Sequence, residues 1–249
     1  MQEMNHNNNT KKAASALFFL SLITLACPAQ VNIQLLYDCV ETPITTIETY
    51  KGDRWGDTYF FIDHYYFTHQ SDGQRSWTDV ESYYEFERGL NFWKNTRLRD
   101  LCLHLEFDFN SIGNGSGMTC IGARYAFHNA DFSRTASVAL MYDHFIGNGS
   151  ADVPLKFTGT WNVGHLFGLG GFTFNGFFDV WGNNTEYLTD QMEIGYAHFS
   201  VVSQPQLWMN MSDIGVPNLN LGGEVVLGYN HRGTHGFSCQ PCVGLKWVF

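Results

Sequence analysis

The chain has 249 residues, a formal net charge of −10 and only 15% charged residues, well below the roughly 25% of an average soluble domain. Aromatics reach 16%, with 25 glycines against 6 prolines, which suits a β-rich fold and not a disordered chain. An acidic chain without a basic run is a poor nucleic-acid binder, and nothing beyond the N-terminus reaches the roughly 18 apolar residues of a membrane helix.

The N-terminus reads as a targeting signal. Lys11 and Lys12 form a basic n-region, "AASALFFLSLITLA" (Ala13 to Ala26) an apolar h-region, and Cys27-Pro28-Ala29 offers small residues for cleavage. Residues 1–29 are therefore expected to be removed, leaving Gln30 as the first mature residue. A lipoprotein cleavage box ending at Cys27 is the other way to read the same stretch. Export without a transmembrane helix leaves two classes, a soluble exported β-protein or an outer-membrane β-barrel.

From Gln30 onward the chain is a series of short alternating segments punctuated by Gly, Asn, Asp and Ser. "YYEFE" (Tyr83 to Glu87) puts Tyr83, Glu85 and Glu87 on one face and Tyr84 and Phe86 on the other. "LCLHLEFDF" (Leu101 to Phe109) is clearest, with Leu101, Leu103, Leu105, Phe107 and Phe109 opposite Cys102, His104, Glu106 and Asp108. That period of two is a strand. "LKFTGTWNV" (Leu155 to Val163) and "FTFNGFFDVW" (Phe172 to Trp181) alternate in the same way. The polar face carries large aromatics beside its charges, a pattern that a soluble core does not require. An inside-out barrel does, with apolar side chains toward lipid and the polar, aromatic face lining a lumen.

Twelve strands are expected, at about 31–39, 43–50, 57–67, 80–89, 98–109, 118–127, 134–143, 154–163, 171–181, 191–210, 219–230 and 238–249. Pro205 interrupts the tenth. Bacterial single-chain barrels have even strand numbers, so 191–210 is kept as one bent strand. Thr68–Asp79, "NSIGNGSG" (Asn110 to Gly117), "HFIGNGSADV" (His144 to Val153) and "GNNTEYLTD" (Gly182 to Asp190) are expected as the longer outer loops. "KGDRWG" (Lys51 to Gly56), "HNADFS" (His128 to Ser133) and "GHLFGLGG" (Gly164 to Gly171) are expected as inner turns. Because a barrel has no free edge, "VGLKWVF" (Val243 to Phe249) must pair with "VNIQLLY" (Val31 to Tyr37), with Phe249 at the periplasmic rim.

The five cysteines of residues 30–249, Cys39, Cys102, Cys120, Cys239 and Cys242, are an odd number and cannot all pair with one another. Cys239-Gln-Pro-Cys242 has CxxC spacing but stands alone and begins a strand, so neither zinc nor thioredoxin chemistry is expected. The ten histidines form no metal-binding motif, and no metal or cofactor is expected. His198-Phe199-Ser200 sets a Ser and a His on one strand face, the one arrangement that suggests lipid hydrolysis. It lacks a third orienting residue.

The polar face supplies the more informative candidates. Glu48, Asp63, Glu85, Glu106, Asp108, Asp179 and Glu224 are expected inside, with Arg124 as a basic partner beside Lys156 and Lys246. Tyr59, Phe61, Tyr65, Tyr83, Trp181 and Trp208 share that face. Flat rings that stack and carboxylates that accept hydroxyl hydrogen bonds suit a flat, hydroxylated, uncharged solute such as a nucleoside. Alternatively, the same residues fill the lumen and leave no pore.

Several stretches together, "VNIQLLYD", "TTIETYKGDRWGDTYFFIDHYY" (Thr45 to Tyr66), "SQPQLWMN" (Ser203 to Asn210) and the ending "GLKWVF", resemble the nucleoside-specific channel-forming outer-membrane porins (Tsx-like), in a Bacteroidetes-type branch. The resemblance covers most of Val31 to Phe249 and is strongest over Thr45 to Tyr66. It implies a twelve-stranded monomeric barrel in the bacterial outer membrane and passive uptake of nucleosides. The final strand ending in Phe249 also resembles the sorting signal read by the barrel-assembly machinery. A closed structural or interaction barrel, and less so a lipid-modifying enzyme, stand as the alternatives.

Overall fold

A computed structural model describes residues 30–39, 42–71, 74–111, 116–147, 149–188, 193–231 and 235–249. The expected signal peptide and the first "IGNG" tetrapeptide lie outside these residues. Thirteen strand segments follow one another: β1 (Gln30–Asp38), β2 (Pro43–Asp53), β3 (Gly56–Ser71), β4 (Gln74–Leu90), β5 (Leu101–Asn110), β6 (Ser116–His128), β7 (Arg134–Ile146), β8 (Leu155–Gly164), β9 (Phe172–Leu188), β10 (Ile194–Ser203), β11 (Gln206–Met211), β12 (Val216–Tyr229) and β13 (Phe237–Val248). Among the described residues no helix is long and apolar enough to cross a membrane.

Every neighbouring pair is antiparallel, and the ring closes because β1 pairs with both β2 and β13. β10 and β11 are collinear, since both pair with β9 on one side and β12 on the other. The thirteen segments therefore make twelve staves of a closed all-β barrel. The interruption is local. Pro205 has no N–H to give, but Gln204 N donates to Phe177 O at 2.9 Å and Val225 N to Pro205 O at 3.0 Å, so the wall stays joined on both sides. Gly176 faces this break in a left-handed conformation, and a Cβ there would lie 2.4 Å from Gln204 O. Only glycine lets the two backbones approach so closely.

Two loop expectations are corrected. Thr68–Asp79 is not a long loop, because β3 runs to Ser71 and β4 starts at Gln74, in continuous pairing apart from one register shift. "GNNTEYLTD" is strand as far as Leu188. Asn and Gly there signal a turn, yet the ladder to β10 wins. The side chains hold it on both flanks, Asn183 Nδ2 donating to Ser200 Oγ on β10 at 2.9 Å and Asn184 Nδ2 to Asp152 Oδ1, in the segment before β8, at 3.0 Å. Extended strands thus project beyond one rim of the barrel, while the rim bearing both ends of the ring has compact turns. One is "DRWG", where Asp53 Oδ1 accepts from Trp55 N at 2.7 Å and Gly56 N at 3.0 Å.

The outward face is apolar and exposed. Leu35, Phe107, Ile121, Leu140, Leu155, Phe157, Leu207, Val243, Leu245 and Trp247 all point away from the ring. A soluble protein would not leave so continuous an apolar surface to water. It is the surface of a membrane-embedded barrel. Phe249 lies at its edge, its N–H donating to Val31 O at 3.0 Å.

Candidate functional site in the barrel lumen

Strand pairing puts one polar set of side chains on the inner wall all the way round. Gln34 lies opposite Thr46, Thr46 opposite Asp63, and Asp63 opposite Tyr83. Glu85 pairs with Asp108, Glu106 with Cys120, and Cys120 with Asp143. Lys156 sits between Met141 and Trp181. Gln206 faces Glu224, and Lys246 closes the circle against Gln34. By the same parity Glu48, Tyr59, Phe61, Tyr65, Arg124, Asp179 and Trp208 point inward too. Every lumen residue expected from the sequence is therefore on the inner wall.

One half of the lumen is organised by charge. Lys156, 3% exposed, reaches from β8 across to β5 and bonds to Glu106, with Asp108 Oδ2 at 3.5 Å and Asp179 Oδ2 at 3.3 Å. Glu106 also lies 3.8 Å from His104 Nε2, which is 3.2 Å from Glu87. Tyr83 donates its hydroxyl to Glu85 at 3.0 Å. Nearby, Arg124 Nη2 grips both oxygens of Asp57 at 2.5 and 2.6 Å, and its Nη1 lies 3.5 Å from Glu87. Charges this deeply buried cost several kcal/mol each unless paired, and these are paired across strands far apart in sequence. Trp181 stands beside this half against the Met118, Cys120, Ala139 and Met141 cluster, with His231 edge-on at 5.7 Å.

The other half is organised by packing. Trp208, 2% exposed, clusters with Leu36, Ile44, Tyr65 and Cys242, and Tyr83 packs against the group. Inward Gly222 makes the room, since a Cβ there would lie 2.9 Å from the Trp208 ring. Lys246 Nζ sits 4.3 Å from that ring's centre, a cation–π contact. Trp208 Nε1 donates to Gln206 Oε1 at 3.0 Å, and Gln206 Nε2 donates to Glu224 at 2.9 Å. Asp63 accepts from Thr46 at 2.5 Å and from Tyr65 at 3.2 Å.

An aromatic ladder runs along the inner wall from one half to the other. Tyr59 and Phe61 have centroids 5.9 Å apart, Phe61 and Tyr83 5.5 Å. At its foot Glu48 accepts from Tyr59 at 3.1 Å, Gln34 at 2.9 Å and Asn32 at 3.1 Å. Gln206, Gln34, Asn32 and His104 were not singled out by sequence reasoning. Their parity was the available signal: Gln206 shares a face with Trp208, and His104 with Glu106.

The Ser–His pairing is not formed. The β9–β10 register shifts between Ala197 and Phe199, so alternation slips there. Ser200 is fully buried and donates to Asn230 O at 2.6 Å. His198 is exposed and lies 3.3 Å from both Asp152 and Asn184. The CxxC is split in the same sense, since Cys239 is exposed and Cys242 buried, and among the described residues no disulfide joins any of the five cysteines.

Comparison with known proteins gives a family and a fold. Residues 32–249 match the family model described as Domain of unknown function (DUF5020), and the chain belongs to that family. No curated protein matches it. In structure it is similar to a NanC porin, with a TM-score of 0.53 and 11% identity over 87% of this chain and 98% of that one. It also matches a KdgM porin in complex with disordered oligogalacturonate (TM-score 0.46, 10% identity, 88% of this chain, 99% of that). A third match is outer membrane phospholipase A from Escherichia coli (TM-score 0.48, 10% identity, 88% and 95%). At such identities the likeness is one of fold, and only the first is close enough to carry weight even there. Neither this family nor the structural likenesses show the nucleoside-channel family that the quoted stretches resemble.

Proposed function

We propose that this DUF5020-family barrel lies in the bacterial outer membrane and passes small hydrophilic solutes by passive diffusion, nucleosides first. The observation that carries the reading is the inner wall: carboxylates on most of the staves and a ladder of aromatic rings, with Arg124, Lys156 and Lys246 all engaged by neighbours. Such a wall repels anions. A flat, uncharged solute can stack on Tyr59, Phe61 and Tyr83 while its hydroxyls donate to Glu48 and Glu85. Several weak contacts in series, in place of one strong site, allow release at the far side. The protein acts as a monomer under this reading, with the strand ending in Phe249 presented to the assembly machinery.

A second reading is a closed barrel that serves structure or partner binding. It is favoured by the near-complete burial of Lys156 and Trp208, each enclosed by side chains of other staves. The lipid-modifying reading has lost the Ser200–His198 pair that motivated it. Conductance of the refolded protein in a planar bilayer separates the first two. Stable steps reduced by adenosine or thymidine but not by simple sugars support the nucleoside channel. Steps indifferent to nucleosides leave a general channel. Folded, inserted protein without conductance overturns the channel and leaves the closed barrel.

A further inference from the structure

The carboxylates around Lys156 outnumber their donors. Glu85, Glu106 and Asp108 each offer an oxygen within 4.8 Å of the other two. Two oxygens bound to one ion at about 2.4 Å can be at most about 4.8 Å apart, so each pair of the three lies within the reach of one calcium-sized ion. Donors to this trio are Lys156, the Tyr83 hydroxyl and His104. Lys156 takes Glu106 and one oxygen of Asp108 and of Asp179. The other oxygen of each aspartate, Asp108 Oδ1 and Asp179 Oδ1, is buried without a hydrogen-bond partner, although both residues are only 6% exposed. A buried carboxylate oxygen without a donor is costly. Here two of them belong to one cluster in which three carboxylates share one ammonium, with Glu85 beside them.

We propose that Glu85, Glu106 and Asp108 bind a divalent cation inside the barrel, calcium in preference to magnesium, with Asp179 adding negative charge beside them and Lys156 holding Glu106 and Asp108 in place. Calcium fits better because it accepts irregular all-oxygen shells, whereas magnesium demands a near-octahedral one and sheds water reluctantly. The cation would cross-link β4 to β5 and offset the charge that Lys156 leaves uncompensated. The site does not depend on transport, since binding is read equally well on a closed barrel.

Terbium is the probe, because it takes calcium's place and luminesces when a tyrosine beside it is excited. The Tyr83 hydroxyl is 3.0 Å from Glu85, so it is the built-in sensitiser. With refolded protein whose folding is checked by heat-modifiable gel mobility, the expected result is saturable terbium luminescence, displaced by calcium at lower concentration than by magnesium. The double variant Glu85→Gln, Asp108→Asn keeps the side-chain shapes and should raise the half-saturating concentration at least about tenfold, because affinity follows ligand charge. Asp152→Asn, an exposed carboxylate elsewhere, should leave it unchanged. Folded protein without the luminescence, or a double variant that binds as well as the parent, would overturn the proposal.

Discussion

The two halves of the lumen are equally buried and are held by different physics. Around Lys156, charged groups from β4, β5, β8 and β9 meet in ion pairs, so each member depends on the others remaining charged. Around Trp208, side chains of β1 to β3 and β11 to β13 meet mainly through shape, with Lys246 resting on the ring. The difference teaches that burial alone does not say what a substitution will cost. In the first half the penalty comes from the partner left behind, and in the second from the space left behind.

Lys156→Met tests the first half and should have the largest effect. Removing the ammonium strands Glu106, Asp108 and Asp179, and breaking a buried pair from one side costs about 3–5 kcal/mol, read as a lower denaturant midpoint in lipid or detergent. Trp208→Ala tests the second. The cavity should cost about 3 kcal/mol, and in the channel reading it should also raise single-channel conductance. If Lys156→Met proves milder than Trp208→Ala, the contrast between charge and shape fails. Lys246→Met sharpens it from within the second half, where the loss of a desolvated cation–π contact and of the hydrogen bond to Gln206 Oε1 should cost about 2 kcal/mol. The smallest effect lies outside both halves, at the Asp53 turn. The Arg88 hydrogen bond, followed by the Trp55 N–H, holds the Asp53 carboxyl from its ordinary 3.8 down to about 2. A depressed carboxyl contributes stability that is present above pH 3.8 and lost as pH falls through about 2. Amide exchange at Trp55 and Gly56 should accordingly lose protection only in that acid window, and Asp53→Asn should remove the pH step.

Much of this was legible in the sequence because a strand has a fixed period of two. "LCLHLEFDF" alternates without error, so its inward residues His104, Glu106 and Asp108 could be read directly. Pro205 within one stave was legible for a different reason, since bacterial single-chain barrels have even strand numbers. Local turn chemistry misled at Gly182 to Asp190, where Asn183 and Asn184 bond across the ladder instead of ending it. The slip at His198 was not legible, because one shifted register leaves no mark in composition. Nor was the pairing of Lys156 with Glu106, three staves and 50 residues apart. Which inward groups meet across a lumen depends on the stagger of the strands, and alternation carries no information about stagger.

The seam between β1 and β13 bears on how the molecule forms. Gln240 Nε2 donates to Asp38 Oδ2 at 2.5 Å across 202 residues of sequence. Every other stave joins a near neighbour in the chain, so hairpins can accumulate one after another, each closing a short loop. The seam alone waits for a loop of nearly the whole chain, and contacts of such separation are slow to form. Until it closes, β1 and β13 are two open edges able to pair with another chain. The rate at which that last joint zips, more than the stability of the finished ring, sets how long the protein is vulnerable to aggregation.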